Sequence, residues 1–205
     1  MALDSVLKAY QSPTRMVHAI GALSALGQEA AALNVKRPLV VTDQGIVKAG
    51  LLEEALKPLR AAGLDPVVYD QVRANPGIAL VDAGARYYKS ERCDGLVAIG
   101  GGSSIDAAKG IGVVVVHGGS IAQYEWGKDP IHSRIPPLVA VPTTAGPGSD
   151  VPLCAVLTDP HPNIKLNCGV TPHSAARTTP ADPPLDAPLP PPARPRAATG
   201  APPPD

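Results

Sequence analysis

Three consecutive glycines, Gly100, Gly101 and Gly102, stand between an apolar run ending at Ile99 and a helical pattern that begins at Ser103. Binding a phosphate at a strand-to-helix junction needs a backbone that approaches the anion closely and helix N–H groups without intrahelical acceptors. The glycines remove the side chains that would block that approach, and the Ser103 hydroxyl can cap the helix or touch a phosphate. The alternative is a tight turn with no ligand. The pattern is not G-x-G-x-x-G, so taken alone it leaves the nucleotide unassigned.

A second group, Val141-Pro-Thr-Thr-Ala-Gly-Pro-Gly-Ser149, also follows an apolar run. It therefore falls on the same carboxyl-end edge of a sheet, where open α/β domains bind ligands. Thr143, Thr144 and Ser149 would supply hydroxyls there. Asp43, just past another apolar run, could accept hydrogen bonds from a ribose diol and repel a 2′-phosphate, or simply form a turn ahead of Gly45.

Elements able to position these groups are visible as short apolar strands alternating with helical patterns. Strands are expected over 37–42, 65–69, 95–99, 137–141 and 153–158, and helices over 16–33, 50–62, 78–89 and 103–115. Pro58 falls in the last turn of the second helix. Continuous apolar strands separated by helices predict an α/β fold, a doubly wound and mostly parallel sheet covered on both faces.

The 205 residues include 18 basic and 18 acidic side chains, giving no net charge to draw the chain to nucleic acid or an anionic membrane. No apolar stretch reaches bilayer length, and no signal peptide is evident at the N-terminus. Cys93, Cys154 and Cys168 lack C-x-x-C spacing and are expected to be free thiols in a cytoplasmic setting. His18, His117, His132, His161 and His173 show no metal-ligand spacing. Of 25 prolines, 12 follow Thr171, and Pro190-Pro-Pro192 is typical of the region. The expected organisation is a dinucleotide-binding domain over 1–170 and a disordered Pro/Ala-rich tail over 171–205.

The ordered set Val41-Thr-Asp43, Asn75-Pro76, Cys93 through Lys109, Val141 through Gly146 and Leu157-Thr-Asp-Pro160 resembles the iron-containing (group III) alcohol dehydrogenases. Within that family the likeness is strongest toward lactaldehyde and propanediol oxidoreductases. Gly102-Ser103-Ser104 and Val141 through Thr144 fit it better than glycerol dehydrogenase or dehydroquinate synthase. The resemblance implies a Rossmann-like, dehydroquinate-synthase-like N-terminal domain followed by an all-helical metal domain. It implies NAD, in preference to NADP, and hydride exchange with a small alcohol or aldehyde. Gly101, Gly102 and Ser103 would meet the pyrophosphate, and Asp43 and Asn75 the adenosine ribose. Thr143, Thr144 and Ser149 would line the nicotinamide half, and Lys165 the nicotinamide ribose. A homo-oligomer is compatible with it.

Two departures stand out. Pro147 replaces a residue that would offer a hydroxyl and an amide in a cofactor-facing loop. No position matches the aspartate and three histidines that hold Fe2+ or Zn2+ in the intact family, so the helical domain is expected to be absent and turnover negligible. An out-of-frame reading of a GC-rich gene from about residue 170 would produce the Ala, Pro and Arg bias. The alternative function is a non-catalytic nucleotide-binding module whose proline-rich tail recruits a partner.

Overall fold

The computed structural model describes residues 14–144, 149, 154–159, 164–168, 175–182 and 185. Residues 145–148, with Pro147, and the proline runs beyond 185 lie outside them.

The sheet has six strands in the order β1-β8-β5-β4-β2-β3, with every pairing parallel. Its strands are β1 (Arg15–His18), β2 (Pro38–Asp43), β3 (Val67–Val72), β4 (Gly95–Gly100), β5 (Leu138–Pro142) and β8 (Thr178–Ala181). The helices are α1 (Leu26–Ala32), α2 (Gln44–Lys48), α3 (Leu51–Ala61), α4 (Ile78–Ser90) and α5 (Gly102–His117). Pro58 is accommodated inside α3.

Successive residues of the central strands serve opposite faces, as strand geometry requires. Leu39, Val41, Leu96, Ala98, Leu138 and Ala140 join a core with residues of α4 and α5. Val40, Val97, Ile99, Val139 and Val141 join a second core with α1 and α3. Both faces are therefore apolar, which is why these strands appear in the sequence as continuous apolar runs. The doubly wound parallel architecture is the one the sequence predicts.

Three local expectations need correction. Residues 16–33 form β1, a 3-10 turn (Ala22–Ala25) and α1, not one helix. Gly21, at φ +82°, separates the strand from the helical segment. The five-residue helix α2 occupies the expected turn after Asp43, whose carboxylate caps it. The strand expected over 153–158 is β6 (Ala155–Asp159), which leaves the main sheet to form an antiparallel hairpin with β7 (Ile164–Cys168).

Beyond residue 170 the described residues add one more strand. Thr178–Ala181 is a strand of the main sheet, seated between β1 and β5. Arg177 N–H donates to the Leu138 carbonyl at 2.8 Å, and the Thr14 hydroxyl donates to the Ala176 carbonyl at 2.9 Å. The Asp182 carboxylate accepts from the N–H groups of Gly21 and Leu23. Ala176 and Thr179 are fully buried and Leu185 enters the second core. Composition hid this because the strand is short, is built on threonines and contains Pro180.

Candidate functional site

The carboxyl ends of β2, β4 and β5 open on one cavity of about 610 Å³. Its walls include Asp43, Gly101, Gly102, Ser103, Thr143 and Thr144, six of the nine residues singled out from the sequence. Gln44, Val72, Arg73, Ala74 and Leu185 also line it.

Gly100 bends the chain from β4 into α5 at φ +143°, and a Cβ there would sit 2.5 Å from the Ser104 hydroxyl oxygen. Only glycine fits such a position. Gly101 then caps α5 in extended conformation, with no side chain to satisfy the first helical N–H groups. Ser104 and Ile105 N–H both turn back to the Gly101 carbonyl. The N–H groups of Gly102 and Ser103 precede the first intrahelical bonds, so the positive end of a 16-residue helix faces the cavity. Thr143 N–H donates to the Gly100 carbonyl at 3.0 Å, pinning the second loop beside the first. Thr144 lies over Gly101, its hydroxyl 3.3 Å from where a Cβ would be.

Asp43 does two jobs. One carboxylate oxygen accepts from Gly45 and Ile46 N–H at 2.8 and 3.1 Å, which starts α2. The other accepts from the Ser104 hydroxyl at 3.2 Å, tying β2 to the first turn of α5.

Asn75 adopts a left-handed backbone, φ +54°, in the turn after β3. Its side-chain oxygen accepts from Lys165 Nζ at 2.5 Å, and the same ammonium donates to the Thr158 hydroxyl at 3.0 Å. Asn75 and Lys165 are thus brought together, though neither lines the cavity. Ser149 is also off the lining: its carbonyl accepts from Lys109 Nζ at 2.6 Å.

The Lys109 contact belongs to a buried charged pair to which no site role was given from the sequence. Lys109 is fully buried and Asp106 is 7% exposed, one turn apart on α5. Burial pushes the Asp106 carboxyl up to about 6; the Lys109 charge, a Val156 N–H and the Ser149 hydroxyl pull it back. The visible signal was two charges inside a helix whose other residues, Ile105 through Val116, are small or aliphatic. Arg73, Ala74 and Leu185 offered no comparable signal, because only the fold brings them to the cavity.

The raised Asp106 value has a consequence for stability. An unfolded aspartate titrates near pH 4, so between about pH 4 and 6 the native chain holds a proton that the unfolded chain has lost. The stability carried by this group is complete below that window and declines as pH rises through it. Asp106→Asn removes the titration. Urea unfolding at pH 4.5 and 7 should show the wild type losing about 2 kcal/mol more than the variant over that interval. Equal changes in both proteins would contradict this.

His117 bonds through Nδ1 to the Val113 carbonyl, and its Nε2 accepts from Ser133 N–H at 3.2 Å. The three cysteines are free; burial raises the thiols of Cys93 to about 11 and Cys168 to about 12. Among the described residues, no group of three or more His, Cys, Asp or Glu could hold a metal ion. No helix among them is long and apolar enough to cross a membrane.

A parallel α/β sheet with a glycine-rich strand-to-helix turn at its carboxyl edge defines a mononucleotide- or dinucleotide-type binding domain. The family can be stated more closely. The family model for iron-containing alcohol dehydrogenases matches residues 13–183, and the chain belongs to that family. It is 46% identical over 194 residues to choline dehydrogenase of Bacillus subtilis (strain 168), covering 93% of this chain and 48% of that protein. A crystal structure of 1,3-propanediol oxidoreductase superposes with TM-score 0.86 at 33% identity, over 94% of this chain and 50% of that one. Sulfoacetaldehyde reductase from Bifidobacterium kashiwanohense, solved in complex with NAD+, superposes with TM-score 0.83 at 26% identity, over 92% and 50%. The chain spans about half the length of these relatives.

Proposed function

We propose that this chain binds NAD and forms the cofactor half of an NAD-dependent alcohol dehydrogenase. One observation carries the reading. A single cavity joins the N–H groups at the start of α5 to Asp43 on one side and Thr143 and Thr144 on the other. That order suits a dinucleotide laid across the sheet edge.

In this reading Gly101, Gly102 and Ser103 hold the pyrophosphate with backbone N–H groups and the helix dipole. Asp43 takes the adenosine ribose: the carboxylate oxygen bonded to Ser104 can accept one more hydrogen bond, and its charge opposes the 2′-phosphate of NADP. Asn75, bonded directly to Lys165, goes with that lysine and not with the adenosine end. Thr143 and Thr144, with Ser149 behind them, border the nicotinamide half, and Lys165 serves its ribose. The nicotinamide supplies hydride transfer to or from a small alcohol or aldehyde in the whole protein. The described residues offer no ligand set for the family's metal, so no step is assigned to one. Three free thiols fit a reducing, cytoplasmic setting.

Titration of the purified chain with NAD+ and NADP+, followed by calorimetry, tests this. Saturable binding of NAD+ and at least tenfold weaker binding of NADP+ are expected. Binding of neither would overturn the proposal.

A further inference from the structure

We infer that Lys109 is a positioning residue for the nicotinamide half of the cofactor site, acting through the loop that follows β5. The inference rests on the cofactor reading above. An ammonium group with no solvent exposure is stable only where acceptors replace its water. Here those acceptors include the carbonyls of Ser149, at 2.6 Å, and Cys154, at 3.1 Å. Both belong to the segment between the cavity wall and β6. Asp106, one turn earlier on the same helix, receives the Ser149 hydroxyl and the Val156 N–H. Ser149 is therefore held at both ends by one face of α5.

The other end of the loop is fixed as well. Thr143 N–H is bonded to the Gly100 carbonyl, and Thr144 rests over Gly101. Thr143 is thus held by the glycine turn and Ser149 by Lys109. Since α5 carries the phosphate-facing N–H groups at its N-terminus and this anchor two turns further on, one rigid helix sets both parts of the site. Lys109 is not among the residues that line the cavity. Its effect is to keep the threonine wall at a fixed distance from the pyrophosphate cradle.

A purely structural lysine and a positioning lysine differ in which part of the ligand they affect. ADP occupies the adenosine and phosphate positions, whereas NAD+ also needs the threonine wall. Lys109→Met is expected to weaken NAD+ binding at least tenfold while ADP binding stays within about twofold, both measured by calorimetry. The double variant K109M/D106N removes both buried charges and is measured in parallel, because K109M alone leaves an unpaired buried carboxylate. The same split in whichever variant folds supports the inference. Equal losses for NAD+ and ADP, or no loss for either, would overturn it while leaving the cofactor reading intact. Failure of the wild-type chain to bind either ligand would overturn both.

Discussion

Gly101→Asp should weaken NAD+ binding about a hundredfold without lowering the thermal midpoint. The two effects separate because the position has one backbone requirement and one electrostatic one. Gly101 sits at φ −77°, ψ −171°, which any residue adopts, and an added Cβ meets only Thr144 at 3.3 Å. Aspartate is also a favoured N-cap, so α5 gains a side-chain acceptor that it now lacks. Binding responds in the opposite direction. A carboxylate about 5 Å from a pyrophosphate at an effective dielectric near 20 raises the energy by about 3 kcal/mol, roughly two decades of affinity. Calorimetric titration paired with a melting curve reads both quantities. An unchanged Kd would remove the pyrophosphate from this turn.

Deleting residues 171–205 should abolish cooperative melting or lower the midpoint by at least about 10 °C. The deletion takes away β8, which stands between β1 and β5, so β1 would lose its only neighbour among the described strands. The Asp182 carboxylate would no longer satisfy the N–H groups of Gly21 and Leu23. Ala176, Thr178 and Thr179, all buried, would leave one flank of the sheet exposed to water. A polar or proline-rich appendage outside the core would give the opposite result, a truncated chain that melts like the full one. Circular dichroism on the two proteins decides between these outcomes.

What the sequence disclosed follows from burial. β2, β4 and β5 are covered on both faces, so each is an unbroken apolar run and could be placed within a residue or two. β1, β7 and β8 are short and mix polar with apolar residues, and Lys165 and Pro180 break any pattern. Their assignment depends on partners far along the chain. The glycine turn was legible because Gly100 has a backbone that no other residue tolerates. The capping duty of Asp43 was legible only as a turn, since the helix it starts has five residues and no periodicity to detect. Lys165 reaching Asn75 across 90 residues, and Lys109 reaching Ser149 across 40, are tertiary facts that local spacing does not encode.

The pairing of the first described strand with the last also governs the order of assembly. The contact between Thr14 and Ala176 closes a loop of 162 residues. Joining ends that far apart opposes folding by about 4–5 kcal/mol of chain entropy, recovered only when β8 zips between its neighbours. During synthesis the flank of β5 is an unpaired edge until residues 178–182 emerge, and the N-terminal strand waits with it. The domain is therefore completed by its least conspicuous segment, and until then its open edge is the surface most exposed to wrong pairing.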